Sequence, residues 1–304
     1  MPRHHPPRDG APEPMVRTSA RHRARRTAST VALAVSVLTA GVALAATLGG
    51  VRPPDPVSSA SDASPARPSS PSASSRVARS SAPAPLSVVG LGDSVTAGSN
   101  CACASFVERY GTMLAARDGR PVTTTNLGVP GLTTASLAQQ LSEPAPSAAV
   151  AAADTVLVTI GANDLSALED QWDSGGCDAA CQGPAVAAMA SRLAPDLARI
   201  KALGHPGQRV EVTTYWNVFE DGDVADQQRG SGFADWSHGV TMAANQAICA
   251  AAQSFGDICV DLYVPFLSAD GTRNPTPLLA DDGDHPNAAG HDVIARALLD
   301  ATPR

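Results

Sequence analysis

From residue 86 onward, short apolar runs alternate with longer segments whose apolar residues recur at helical spacing. The runs 86–91, 122–126, 154–160, 209–214 and 258–262 are rich in Val, Ile, Leu and Thr and read as strands. The clearest is 154–160, which contains Thr-Val-Leu-Val-Thr-Ile. Continuous rather than alternating apolarity predicts strands buried on both faces, the habit of parallel sheets. Helices are predicted over 106–117, 134–141, 184–203, 233–255 and 287–301. Asp118-Gly119 stops the first and Gly204 the third, while Val293, Ile294, Ala297 and Leu298 share one side of the last. Strands alternating with helices predict an α/β fold, with a parallel sheet covered on both faces. Right-handed crossovers narrow this to a doubly wound sandwich.

The pattern fails before residue 86, where Pro, Ser, Ala and Arg dominate. Residues 1–26 are basic, and residues 27–51 form an uncharged, largely apolar run of about membrane-spanning length. Arg21, Arg23, Arg25 and Arg26 place its N-terminal side in the cytoplasm. Two readings of 27–51 stay open. Ala43-Leu44-Ala45 offers a signal-peptidase site, whereas the length of the run favours an uncleaved anchor. Either way the rest is exported, to the extracellular space or the outer face of the cytoplasmic membrane. Residues 52–85 have too few large apolar side chains to bury a core and are expected to form a disordered, extended linker. Residues 86–304 are left as one folded domain.

Charge follows the same division. Before Leu86 there are 11 arginines against four acidic residues, net +7; from Leu86 onward, 11 basic against 25 acidic residues give net −14. So acidic a domain repels nucleic acid and anionic lipid, so nucleic acid is excluded as a partner and membrane contact is confined to the N-terminal segment. The domain is expected to be a monomer. Its six cysteines, Cys101, Cys103, Cys177, Cys181, Cys249 and Cys259, suit three disulfides in an exported domain. The local pairs 101–103, 177–181 and 249–259 are the simplest of fifteen possible pairings. Zinc is the weaker reading, because the spacing is not that of a zinc knuckle. Asp281, Asp282 and Asp284 likewise lack the alternating spacing of a calcium loop. No metal or cofactor is expected.

Three predicted strands end in Gly and small polar residues: Gly92-Asp93-Ser94, Asn126-Leu127-Gly128 and Gly161-Ala162-Asn163-Asp164. In a parallel sheet these ends share the edge where ligands bind. Asp281-Asp282-Gly283-Asp284-His285-Pro286 precedes the last helix. A hydroxyl, an imidazole, carboxylates, a glycine amide and a side-chain amide are the parts of acyl transfer by an activated serine. Asp282 is favoured as partner of His285, since three residues back it meets Nδ1 across one turn that Gly283 permits. Asp284 is adjacent and should diverge from the ring; Asp281 needs a wider turn.

With these residues in view, the domain resembles the SGNH hydrolases, the GDSL esterase/lipase family. The resemblance spans four blocks in order: Gly92-Asp93-Ser94; Asn126-x-Gly128-x-x-Gly131; Gly161-x-Asn163-Asp164; and Asp282-x-x-His285-Pro286. Val95 stands where the family name has Leu, a packing position. The resemblance implies a three-layer α/β/α sandwich with a flavodoxin-like sheet. It also implies Ser94 as nucleophile, His285 and Asp282 as its partners, and an oxyanion hole of Ser94, Gly128 and Asn163. Cys-x-Cys after the nucleophile is similar to secreted actinobacterial members.

The expected function is an exported serine esterase or lipase. A non-catalytic cell-wall glycan-binding module and a sugar O-acyltransferase on the same fold are the alternatives. The substrate is a small-molecule, glycan or lipid ester; the absence of a long apolar lid favours short acyl chains. Trp172, Trp216 and Phe219 follow strand ends and fit either a pocket wall or the core. Asp93 and Asp164 are read as structural, and His291 as a helix-face residue.

Overall fold

The computed structural model describes residues 84–303, Ser231 excepted. The basic tail, the apolar run and nearly all of the linker inferred from the sequence lie outside the described residues. Among the described residues, no helix is long and apolar enough to cross a membrane.

Five strands form one parallel sheet: β1 Leu86–Gly92, β2 Val122–Asn126, β3 Thr155–Thr159, β4 Arg209–Thr213 and β5 Ile258–Val260. Their order is β2-β1-β3-β4-β5. This is the flavodoxin-like order, with its switch point beside β1. Val88, Val89 and Leu91 of β1 and every residue of β3 are buried, which accounts for their unbroken apolar runs.

Among the described residues, ten α-helices connect and cover the strands: α1 Ser94–Ala97, α2 Phe106–Asp118, α3 Thr134–Gln140, α4 Pro144–Ala152, α5 Ser166–Asp173, α6 Ala179–Leu203, α7 Gly222–Gln228, α8 Phe233–Ser254, α9 Tyr263–Leu267 and α10 Ala288–Ala301. One layer pairs α2 with α10; the other packs α6 against α3, α4 and α8. Caps fix the ends. The Ser105 side chain accepts from Val107 N before α2, and Asn287 accepts from Ala289 N and Gly290 N before α10.

Five helices have no counterpart in the pattern along the chain, the first being α1, a single turn of four residues. α4 is Pro, Ala and Ser with little contrast between faces, α7 is short and polar, and α9 contains a proline. Helix α5 joins them; only its Leu168 is buried. Helix α6 starts five residues before the expected Pro184, because Asp178 caps it and Cys177–Cys181 ties its first turn. Strand β5 stops at Val260 because the Asp261 carboxylate accepts from Tyr263 N and Val264 N, which turns the chain into α9. The three local disulfides are formed: Cys101–Cys103, Cys177–Cys181 and Cys249–Cys259.

Candidate active site

Ser94 opens α1 directly after β1. Asp93 caps that helix: its Oδ1 accepts from Val95 N at 3.0 Å and its Oδ2 accepts from the Tyr215 hydroxyl. Asp93 is 1 % exposed, and burial pushes its carboxyl up to about 7 against the pull of Tyr215 and the Val95 amide. The side chain thus holds the Ser94 turn in place, in keeping with its reading as structural. The same holds for Asp164, which accepts from Thr134 N at 2.8 Å and Thr134 Oγ1 at 2.6 Å.

Ser94 and Asn163 line one cavity of about 200 Å³, together with Asp284, the residue before His285. Glu169, Glu220 and Trp216 contribute further to its walls. The cavity is acidic. Burial and then the neighbouring Glu220 raise the Glu169 carboxyl to about 7, although Arg229 lies 2.8 Å from it. Asn163 Nδ2 donates to Leu132 O at 3.0 Å, which leaves a second N–H for the cavity.

His285 Nδ1 lies 2.7 Å from Asp282 Oδ2. The turn between them requires Gly283, which sits at φ 72°. Asp282 Oδ1 accepts from both Asp284 N and His285 N at 3.0 Å. Burial alone would raise this carboxyl, but these amides, His285 and Asn100 outweigh it and hold it below the usual value. An ionised Asp282 fixes the proton on Nδ1 and leaves Nε2 as acceptor. Asp284 comes closer than adjacency suggests, with Oδ2 3.7 Å from Nδ1. Its carboxyl is raised to about 6, chiefly by burial and against the pull of His285. Among the described residues, neither Ser94 Oγ nor His285 Nε2 forms a hydrogen bond, so both are uncommitted.

The Gly128 N–H donates to Asn126 Oδ1 at 2.9 Å. Asn126 also reaches Thr96 O and Ser105 Oγ, so it ties the end of β2 to α1 and α2. A Cβ on Gly128 would lie 2.3 Å from Ala97 N, so only glycine fits this close to the Ser94 turn. Trp216 and Phe219 line the cavity, whereas Trp172 stacks on Trp236, 5.0 Å between ring centroids, in an aromatic cluster with Phe233. His291 is fully buried, with Nδ1 3.2 Å from Phe106 N. Among the described residues, the one group placed like metal ligands is Cys101, Cys103 and His291. Both sulfurs are bonded to each other there and are not thiolates.

Glu169, Glu220, Tyr215 and Asn100 were missed from sequence. They stand in loops, or on helix α5, without a motif, and folding alone brings them to the site.

Residues 91–293 match the GDSL-like lipase/acylhydrolase family. The chain belongs to that family. Its activity is accordingly that of a carboxylic-ester hydrolase. The fold agrees with the lipase Lip_vut3 from a goat rumen metagenome, at a TM-score of 0.57 and 22 % identity, over 71 % of this chain and 97 % of that one. It also agrees with Axe2, an acetylxylan esterase from Geobacillus stearothermophilus, at a TM-score of 0.52 and 20 % identity, over 71 % and 93 %. No curated protein sequence matches this family member.

Proposed function

We propose that the protein is an exported serine esterase that hydrolyses short-acyl esters of neutral alcohols or sugars. The observation that carries the reading is the 2.7 Å contact of His285 Nδ1 with Asp282, on the loop that brings Asp284 to the cavity of Ser94 and Asn163. Ser94 Oγ attacks the ester carbonyl while His285 Nε2 takes its proton, and the Asp282 carboxylate stabilises the imidazolium. The developing oxyanion accepts from Ser94 N–H and the second N–H of Asn163. Gly128 N–H joins them only after its bond to Asn126 opens. His285 then protonates the leaving alcohol, and water releases the acyl group by the same base catalysis.

A cavity of about 200 Å³ with Glu169 and Glu220 in its wall supports a short acyl group and disfavours anionic substrates such as phospholipids. An acetylxylan esterase among the structural neighbours is consistent with acetyl esters. The basic flank and apolar run of the N-terminal region support export, as do three disulfides. The test is Ser94→Ala, assayed on p-nitrophenyl acetate and on an acetylated glycan. Turnover should fall by several orders of magnitude in a folded protein, with loss of fluorophosphonate labelling. Near-wild-type turnover by that variant refutes the reading.

A further inference from the structure

Asn100 lies far from His285 in the chain, outside the four family blocks, yet it reaches the carboxylate that orients the imidazole. Its Nδ2 donates to Asp282 Oδ2, the oxygen that also meets His285 Nδ1, and lies 3.3 Å from Nδ1 itself. With Asp284 N and His285 N on Oδ1, Asp282 has four donors around its two oxygens. That matches the acceptor capacity of a carboxylate. Three of the four come from its own turn, and Asn100 is the one supplied by another element.

The backbone of Asn100 is held to this task. It sits at φ 57°, in the left-handed region that residues other than glycine rarely adopt. Asparagine is among the few that tolerate it. The next residue is Cys101, closed onto Cys103 across a single residue. This small ring restricts the loop between α1, which carries Ser94, and α2. The loop therefore links the nucleophile's helix to the histidine's acid.

Given Ser94, His285 and Asp282 as the catalytic set, we propose that Asn100 is a positioning residue that locks the Asp282 carboxylate onto His285, and that the Cys101–Cys103 ring holds Asn100 in the conformation that does so. The amide acts in two ways. It removes the rotational freedom that Asp282 Oδ2 would have with His285 alone. It also shares that oxygen with the imidazole, so the charge felt by the ring is moderated. The charged and titratable groups around His285 are Asp282, Asp284, the buried Asp93 and His291. Asn100 is the neutral donor among them.

The test uses two variants chosen for the backbone. Asn100→Gly keeps the left-handed conformation at no steric cost and removes only the side chain. Asn100→Asp keeps the shape and replaces the donor by a carboxylate. For Asn100→Gly, kcat on p-nitrophenyl acetate should fall about tenfold with KM within twofold, the loss expected for one hydrogen bond to a charged group. For Asn100→Asp, kcat should fall at least as far. The acid limb of its kcat/KM profile should move up by about one pH unit, because a second carboxylate beside Nδ1 favours the imidazolium. A merely structural role for Asn100 would lower activity equally at every pH. The double variant Cys101→Ser/Cys103→Ser should reproduce part of the Asn100→Gly loss and add little to it when the two are combined.

Full kcat with an unmoved profile in Asn100→Gly and Asn100→Asp overturns the assignment of Asn100. Strict additivity of the cysteine and Asn100 variants overturns the role of the ring. Ser94→Ala is measured beside them. If it is inactive while the Asn100 variants match wild type, only this inference fails; if it is active, the catalytic reading itself fails.

Discussion

Replacing Asp282 by Asn should remove more than a charge, because the structure dictates how the new amide is oriented. Asp282 Oδ1 accepts from two backbone amides, Asp284 N and His285 N, each at 3.0 Å. An asparagine must place its carbonyl oxygen there, since its NH₂ cannot accept. Its Nδ2 then takes the place of Oδ2, 2.7 Å from His285 Nδ1 and against Asn100 Nδ2. Two donors now face His285 Nδ1, so the ring must carry its proton on Nε2. In the proposed mechanism, that is the wrong tautomer for accepting the Ser94 proton. A complete tautomer error of this kind costs about 10⁴ in kcat. Here Asp284 Oδ2, 3.7 Å from Nδ1, offers a poorer second acceptor. The expected loss in Asp282→Asn is therefore about 10³, or about 4 kcal/mol of transition-state stabilisation. Asp284→Asn and Asp281→Asn should each lose less than about tenfold, since neither holds the ring. Adding Asp284→Asn to Asp282→Asn should bring the loss to about 10⁴. The assay is kcat on p-nitrophenyl acetate, with folding checked by circular dichroism and active-site titration. Asp282→Asn within tenfold of wild type refutes the reasoning, as does Asp284→Asn being the worst of the three.

Asn163→Ala should bind substrate normally and lose about 10²–10³ in kcat, since in the proposed mechanism the donor acts on charge that develops in the transition state; a change confined to KM would instead make Asn163 a binding residue. Glu211 on β4 is fully buried, accepts from Thr302 Oγ1 at 2.8 Å, and is raised to about 7, mainly by burial. A carboxyl bound more tightly to its proton in the folded state destabilises the fold as pH rises from about 4.5 through 7, and Asp93 and Asp196 act in the same direction. Urea unfolding should therefore show greater stability at pH 5.5 than at pH 8. Glu211→Gln should flatten that slope and gain up to about 3 kcal/mol at pH 8, and an unchanged slope would contradict it. Finally, protease added to intact protoplasts should release an active fragment beginning near residue 86; protection of the protein from that protease would refute export, and a secreted form beginning at Ala46 would select the signal peptide over the anchor.

Much of this molecule is determined by neighbours along the chain. The unbroken apolar runs at β1 and β3 point to strands buried on both faces, because they are too short for buried helices and rich in β-branched residues. The Asp282–His285 pair spans three residues and the disulfides span two, four and ten, so local geometry sufficed for both. The glycine-bearing strand ends could be placed on one edge because all strands of a parallel sheet point the same way. What only the tertiary structure decided depends on elements meeting from far apart. Asn100 meets Asp282 across 182 residues, and Tyr215 meets Asp93 across 122. Loops carry no periodicity, so no pattern announces which loop side chains will converge. Gly128 shows the same limit: its motif could not reveal that Asn126 Oδ1 takes up its amide. The raised carboxyls of Asp93, Glu169 and Asp284 follow from burial, which is a property of the packed whole. The sequence singled out Ser94, Asn163, Asp282 and His285; packing brought Asn100, Tyr215, Glu169 and Glu220 to them and set the spacing, the protonation and the size of the cavity they face.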